Sequence, residues 1–195
     1  MPRYYILQAQ LLEDYAAIGN FPRSMTHIHM PATGMRMGEI YKDGQEFNMD
    51  EDSTGIQLSD VLHNTFGYLM VSSRLKALIE QHAKAEIEFL RFTLINHKKR
   101  VESDSCYIVN VIGGKDWVDL DRSEGQFNPA HKNRYMRVRR LVLKEDAVDP
   151  EANLFRVAAA PRLPIVREDF KALLESEQIT GAEFFEVGTP VNLMT

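Results

Sequence analysis

Short strand-like segments separated by turn residues are the feature that most constrains how this chain of 195 residues can fold. Residues 106–112 (CYIVNVI) are rich in β-branched side chains and end at two glycines, and residues 135–143 (YMRVRRLVL) alternate apolar with basic side chains. Such composition and alternation favour strands with at least one buried face. Helical periodicity is limited to two short segments, which excludes a helical bundle and predicts a strand-rich α+β fold.

A strand–helix–strand pattern occurs twice along the chain, at about 68–92 and at about 163–187. In the first copy, Ser72 or Ser73 is placed to cap a helix whose apolar residues recur at helical spacing. At an offset of 95 residues the two segments align without a gap, and the matching pairs include Lys76 with Lys171, Leu78 with Leu173, Glu80 with Glu175 and Phe89 with Phe184. The alignment predicts two similar units, but any two short segments of this kind with similar helices would align as well.

The N-terminal part of the chain is less regular than the rest. Residues 4–9 (YYILQA) predict a first strand, but glycine and proline recur through residues 19–55 and indicate turns, with short strands near 25–30 and 36–41. Because a stretch of this length without structure is uncommon, hairpins or a partner-facing excursion are expected there. We therefore expect one domain over residues 1–195, with an irregular N-terminal part at 1–55 and a core at 56–188.

The net charge of −5, from 23 basic and 28 acidic side chains, is unevenly distributed. Residues 42–60 contain six acids and one base, whereas residues 131–140 contain five bases and no acid. An acidic chain disfavours nucleic acid as a partner, because phosphate binding depends on Lys and Arg, and suits a protein that covers a basic partner. The basic stretch that includes Arg134 and Arg140 has two interpretations: a local nucleic-acid patch, or a strand face paired with acids.

The cysteine count and the hydropathy pattern indicate where the protein works. A single cysteine excludes an internal disulfide framework and a multi-cysteine zinc site. No apolar run reaches the about 18 residues of a membrane-spanning helix, and no signal segment opens the chain. A soluble protein of the reducing cytoplasm, without a membrane partner, is expected.

Two residue clusters are candidates for metal binding in an enzyme. His27 and His29 would place two imidazoles on one face of an expected strand, and Asp116, Asp119 and Asp121 form a carboxylate cluster. The histidines have no third ligand at a recognisable spacing, and the aspartates fit better a turn in which carboxylates accept hydrogen bonds from backbone amides. Nucleophile-elbow, phosphate-loop and dinucleotide motifs are absent, so neither an enzymatic activity nor a cofactor is predicted.

Several apolar motifs follow one another in an order and spacing that carry a family resemblance. They are residues 58–62 (LSDVL), 69–78 (LMVSSRLKAL), 87–89 (IEF), 107–111 (YIVNV), 118–123 (VDLDRS), 154–157 (LFRV), 165–166 (IV) and 179–184 (ITGAEF). In this order, over about residues 56–188, they resemble the immunity-protein 11 family, a myxobacterial-type immunity domain that was formerly a domain of unknown function.

The resemblance implies a bacterial immunity protein and not an enzyme. Such a protein is encoded beside a polymorphic toxin, often a nuclease, and neutralises it by binding in the cytoplasm of the producing cell and its kin. The resemblance implies no catalytic residue, and the implied partner is the cognate toxin of the adjacent gene. A metal-dependent enzyme that uses His27, His29 and residues 116–121, and a small nucleic-acid-binding protein that uses residues 134–140, are the alternatives.

Toxin contacts are expected on exposed, turn-rich segments, because loops on a rigid scaffold carry recognition. The acidic stretch 43–52 is the first candidate, through Glu46, Asp50, Glu51 and Asp52. Trp117, the only tryptophan, is either a core residue or a further contact, since exposed aromatic residues anchor interfaces.

Overall fold

The structure, a computed structural model, describes residues 2–144 and 146–195, and these form thirteen β-strands and three α-helices. The strands are β1 (Tyr4–Ala9), β2 (Ala17–Asn20), β3 (Gln45–Met49), β4 (Val61–Asn64), β5 (Met70–Val71), β6 (Ile87–Ile95), β7 (Val101–Val111), β8 (Glu124–Phe127), β9 (Tyr135–Arg140), β10 (Leu154–Phe155), β11 (Ile165–Arg167), β12 (Ala182–Glu186) and β13 (Leu193–Met194). The helices are α1 (His29–Ala32), α2 (Ser73–His82) and α3 (Glu168–Ser176), and a 3-10 turn covers Gly38–Ile40. The expected strand-rich fold with few helices is confirmed.

The strands form three sheets. Six strands close into a barrel in the order β2-β3-β6-β7-β5-β4, four form a sheet in the order β10-β11-β1-β12, and three form a small sheet in the order β13-β9-β8. In the barrel, β2 runs parallel to β4 and β3 runs parallel to β6. The N-terminal strands therefore close the barrel through pairings with strands that come later in the chain.

One half of the barrel has the same strand order as the four-stranded sheet. In the barrel β4, β5, β7 and β6 are neighbours, in the sheet β10, β11, β1 and β12 are neighbours, and all these pairs are antiparallel. We call β4, β5, α2, β6 and β7 the first unit, and β10, β11, α3, β12 and β1 the second unit. The registers also agree, since Val71 pairs with Tyr107 and Val166 pairs with Tyr5.

The two units differ in chain connection. The central strand β7 follows the rest of the first unit along the chain, whereas the central strand β1 precedes the rest of the second unit. A single sequence offset can therefore align only the strand–helix–strand parts of the two units, and the central strands need a different offset.

Alternating side chains divide the apolar core into three clusters. The barrel interior holds the first cluster, which includes Phe47 and Phe92, both 0 % exposed. The third cluster lies on the face of the second unit that includes Ile6, and it also contains Val138 of the three-stranded sheet. The second cluster is shared by the two units, and its helical members are Leu75 and Ile79 of α2 and Phe170 and Leu174 of α3. Full burial of a side chain of this size contributes about 1.5–3 kcal/mol, so this shared layer holds the units together.

Two polar side chains also join the units. Each belongs to one unit and forms hydrogen bonds with the chain at or shortly after the C-terminal end of the other unit's helix. The carboxylate of Asp60, just before β4, accepts a hydrogen bond from the N–H of Thr180 at 3.0 Å. The amide of Asn153, just before β10, accepts from the N–H of Lys84 at 2.6 Å and donates to the carbonyl of His82 at 2.9 Å. The bond to His82 satisfies a carbonyl in the last turn of α2, and the bonds to Lys84 and Thr180 satisfy backbone N–H groups of the loops that follow the two helices.

The predicted first strand at 4–9 and the predicted cap of the first helix are confirmed, whereas two short strands predicted in the N-terminal part are not present. Ser72 caps α2, because its Oγ accepts a hydrogen bond from the N–H of Leu75 at 3.2 Å. The strands expected at 25–30 and 36–41 are wrong, since these segments hold α1 and the 3-10 turn. The stretch expected to be irregular instead contributes two strands to the barrel, β2 and β3. In the described part of the chain, no helix combines the length and the apolar character needed to cross a membrane.

Candidate partner-binding surface

The strand β3 fixes which side chains of the acidic segment face outward. Phe47 lies inside the barrel, with its ring centroid 4.9 Å from that of Phe92 in an edge-to-face arrangement. Because side chains alternate along a strand, Glu46 points away from the core and is exposed. Pairing with β2 on one side and β6 on the other satisfies the backbone of β3, so Glu46 stands on a rigid support.

The turn after β3 presents the remaining acids. The N–H of Asp50 donates to the carbonyl of Ala17 at 2.8 Å, and the carboxylate of Asp50 accepts from the N–H of Asp52 at 3.1 Å. Glu51 and Asp52 are exposed, and Glu51 forms a salt bridge with Lys99 of the β6–β7 hairpin at 3.0 Å. Asp50 therefore shapes the turn, while Glu51 and Asp52 face solvent.

Two of the acids line an open cleft of about 680 Å³ beside β3. Glu46 and Glu51 contribute carboxylates to its walls, and Arg23 and Lys99 contribute bases. The lining is predominantly polar, so the cleft offers hydrogen bonds and ion pairs and little apolar area. Such a surface suits a polar, charged partner more than an apolar ligand.

Trp117 does not lie with the acidic cleft. Its ring is half-buried and packs edge-on against Phe155 of β10, with ring centroids 4.9 Å apart, on the fringe of the third core cluster. The ammonium of Lys115 lies 5.7 Å from the centroid of the Trp117 ring. The structure thus supports core packing for much of this side chain, and any contact through its exposed part would belong to a different surface from that of Glu46.

The two histidines do not share a face of a strand, so the strand prediction on which that cluster depended is wrong. His27 lies in a turn with a φ of +54°, and His29 is the first residue of α1. Among residues 2–144 and 146–195, no three His, Cys, Asp or Glu side chains lie close enough together to hold a metal ion.

The aspartate cluster forms the turn that the sequence favoured. The carboxylate of Asp119 accepts hydrogen bonds from the N–H groups of Asp121 and Arg122, both at 3.1 Å. Asp116 lies at the surface and forms a 3.5 Å salt bridge with Lys144. These carboxylates shape a loop and pair with a base, and they do not converge on one point.

The basic stretch forms β9, the middle strand of the three-stranded sheet. Arg140 forms a salt bridge with Glu124 of β8, and the Nε of Arg137 donates to the sulfur of Met194 in β13. Arg134 and Arg139 are exposed. Because a neighbouring acid neutralises Arg140, the geometry favours the interpretation of a strand face with cross-strand partners.

A comparison with models of protein families identifies the family of this chain. The model described as Immunity protein family (Imm11) matches residues 3–189. The chain belongs to this immunity protein family. The match includes nearly all of the first 55 residues, which the sequence resemblance left outside. No curated protein matches the chain.

In this immunity-family chain, a carboxylate that the sequence analysis missed holds part of the N-terminal segment. Glu88 of β6 accepts hydrogen bonds from the N–H groups of Met37 at 2.9 Å and Gly38 at 2.7 Å. Asn110 of β7, which pairs with Glu88, donates to Glu88 at 3.0 Å and to the carbonyl of Met35 at 2.9 Å. The segment 35–38 is therefore held across the edge of the first unit.

A second missed residue holds the helix α1, which lies just before residues 35–38. The side chain of Arg156 is 1 % exposed and donates to the carbonyls of Pro31 at 3.2 Å, Ala32 at 3.1 Å and Pro161. Burial lowers the pKa of this guanidinium to about 10. The only sequence signal is an arginine within an otherwise apolar strand-like run at 154–157.

Proposed function

We propose that this protein is an immunity protein that binds and neutralises a cognate polymorphic toxin in the bacterial cytoplasm, and so protects the producing cell and its kin. The family match over residues 3–189 is the observation that carries this proposal. Immunity proteins in general act by binding and not by catalysis, so the argument concerns surfaces and not reacting groups. The cognate toxin is the product of the adjacent gene.

The acidic stretch 43–52 is the contact surface that the charges support. Glu46, Glu51 and Asp52 are exposed on a rigid barrel strand and the turn that follows it. A nuclease carries a basic site for its substrate phosphates, and carboxylates held at fixed positions complement such a site. Complementary charge speeds association and rejects wrong partners, as immunity to one toxin among many requires.

Trp117 is a second, separate contact in this proposal. Its ring is half-buried against the third core cluster, and the ammonium of Lys115 lies 5.7 Å from the ring centroid. Partly exposed tryptophan is enriched among residues that contribute strongly to binding. Trp117→Ala also removes packing against Phe155, so its effect on binding has to be judged against the loss of stability in the same variant.

Co-expression with the product of the adjacent gene tests the proposal. We expect the protein to restore growth of cells that express this toxin and to co-purify with it as a stoichiometric complex. Glu46→Lys and Glu51→Lys, made separately, should each weaken the complex about tenfold, as loss of charge complementarity at an interface does. Asp121→Lys, an equivalent charge change on an exposed loop, is the matched control and should bind normally. Failure of both growth rescue and co-purification would refute the proposal.

A further inference from the structure

The strand β12 is an edge strand of the second unit. It pairs with β1 on one side, and within the described residues no strand pairs with its other side. The hydrogen bonds give the direction of its backbone groups, because Val187 donates to Tyr4 at 2.9 Å and Gln10 donates to Gly181 at 2.8 Å. Antiparallel pairs exchange bonds at every second residue, so the N–H and C=O groups of residues 182, 184 and 186 point away from β1.

The corresponding edge of the first unit is covered by the protein's own chain. β3 pairs with β6 from Phe92 to Ile95, and the hydroxyl of Tyr41 donates to the outward carbonyl of Arg91 at 2.7 Å. On the same edge, Glu88 and its cross-strand partner Asn110 hold the backbone of residues 35–38. At the offset of 95, the residues of β6 that pair with β3 correspond to 187–190, just beyond β12. At the positions that correspond to β12, the first unit is covered by Tyr41 and by residues 35–38.

The second unit has a carboxylate and an amide at the positions of Glu88 and Asn110, but no segment of the described chain is bound to them. Glu183 of β12 pairs with Gln8 of β1 in the register in which Glu88 pairs with Asn110. Glu183 is exposed, and the amide of Gln8 donates to the carbonyl of its neighbour Leu7 at 3.1 Å. A carboxylate on the edge strand β12 and an amide on the neighbouring strand β1 therefore occupy the positions that hold a chain segment in the first unit.

The charges at this edge select the kind of segment that fits. The strand reads AEFFE, with Glu183 exposed and Glu186 half-exposed. Because the strand contains two acids and no base, two copies of this edge would bring only negative charges together, which disfavours pairing between identical molecules. A basic segment from another protein meets complementary charge along the same strand.

From this geometry we propose that an extended, basic segment of the toxin adds to the free edge of β12 as a further strand. The outward N–H and C=O groups of residues 182 and 184 and the outward N–H of Glu186 supply the main-chain hydrogen bonds, as in other strand-addition complexes. The carbonyl of Glu186 already accepts hydrogen bonds from the N–H and the hydroxyl of Thr189, at 3.3 and 2.7 Å, so the free edge ends at this residue. Glu183 binds a basic side chain or a backbone N–H of the added segment. This inference rests on the proposed function, because it names a further surface that the toxin contacts besides the acidic stretch 43–52.

Two variants and one matched control test the inference, with the co-expressed toxin as the probe and its affinity measured by calorimetry. Glu186→Pro removes one outward N–H, and the ladder bonds with β1 remain, since proline is tolerated on edge strands. Glu183→Lys reverses the charge at the edge and leaves the backbone intact. Each change should weaken binding about tenfold, the usual consequence of losing one good hydrogen bond or charge pair at an interface. Glu151→Lys, which makes the same charge change beside the opposite edge strand β10, should bind as the wild type does.

The outcomes separate this inference from the proposed function. Wild-type affinity in both Glu186→Pro and Glu183→Lys, with the toxin still bound, would overturn strand addition and leave toxin binding standing. An equal loss in Glu151→Lys and Glu183→Lys would indicate a general charge effect and would also overturn it. If the wild-type protein neither binds nor neutralises the toxin, the proposed function and this inference fail together. Each variant must unfold at the same temperature as the wild type. If Glu186→Pro proves to be less stable, the affinity of Glu183→Lys alone decides the test.

Discussion

The two units of this molecule share a strand order and differ at their edges. In the first unit, the N-terminal strands close a barrel over β6, and Glu88 and Asn110 hold residues 35–38 across its edge. In the second unit, β12 ends the sheet, and among the described residues no strand pairs with its outward side. The same arrangement of strands therefore serves as a closed core in one place and as an open surface in the other.

This difference shows how one pattern can carry both stability and recognition. The shared cluster between the units needs the same buried face from each of them, so α2 and α3 are alike there. The opposite faces are free to differ, and they pack against the barrel interior in one unit and against the three-stranded sheet in the other. Recognition then falls to the edges and loops, where changes cost little stability.

Removing a large side chain from the shared cluster should have the largest effect. We expect Phe170→Ala to lower the free energy of unfolding by about 3–5 kcal/mol and Leu75→Ala by about 2–5 kcal/mol, because each leaves a cavity between the units. Urea unfolding followed by circular dichroism and by fluorescence of Trp117 measures this. Gln81→Ala on the exposed face of α2 is the control and should change stability by less than about 0.5 kcal/mol. Two separate transitions would contradict a core shared by both units.

Asp60 and Asn153 offer the next comparison, because they join the units from opposite sides. Asp60 accepts from the N–H and hydroxyl of Thr180 and from Ser72 and Arg74, so Asp60→Ala leaves several donors unpaired and should cost about 3 kcal/mol. Asn153→Ala breaks two backbone contacts and should cost about 1–3 kcal/mol. Chemical denaturation of both variants gives the two values. A larger loss of unfolding free energy in Asn153→Ala than in Asp60→Ala would contradict the expected order and show that the two connections are not comparable.

Arg156→Met should make the first unit more like the second by releasing the segment that covers it. The change leaves the carbonyls of Pro31, Ala32 and Pro161 without their donor, and we expect a loss of about 2 kcal/mol. Limited proteolysis should then cut residues 22–41 faster than in the wild type. Arg139→Met, at an exposed position of β9, provides the control. Unchanged proteolysis of this segment in Arg156→Met would show that its other contacts, which include those of Glu88 and Asn110, are enough to hold it.

The smallest effects are expected at two lysines that occupy matching positions. Lys76 forms a salt bridge with Glu80 and lies 4.9 Å from the ring centroid of Phe89. Lys171 forms a salt bridge with Glu175 and lies 5.3 Å from the ring centroid of Phe184. Lys76→Met and Lys171→Met should each change stability by less than about 1 kcal/mol and by similar amounts, because both contacts lie at the surface. Clearly unequal losses in thermal unfolding would argue against equivalent surroundings.

Local patterns in the sequence could predict the parts of the fold that depend on local interactions. Ser72 and the apolar spacing from Leu75 to Ile79 specify α2 within a few residues, and residues 106–112 are strand-like by composition alone. The strand β3 could not be predicted in this way. Its residues (QEFNM) have little strand-like character, and they are held by parallel pairing with β6, which comes far later in the chain.

The charges of the candidate surface could be predicted from the sequence, but its geometry could not. Glu46 and Glu51 were recognisable as acids in a turn-rich stretch, but only the barrel brings them into one cleft with Arg23 and Lys99. Trp117 could not be assigned, because nothing near it in sequence shows that Phe155 lies against its ring. The free edge of β12 was also hidden, since whether a strand ends a sheet depends on all the other strands.

Amide hydrogen exchange, resolved by residue and measured with and without the bound toxin, tests the central claim most directly. In the free protein, the outward amides of residues 182, 184 and 186 should exchange faster than the β6 amides from Phe92 to Ile95, which pair with β3. In the complex, the outward β12 amides should become protected while the β6 amides stay as they were. A tight complex in which the β12 amides exchange as fast as before would contradict the account.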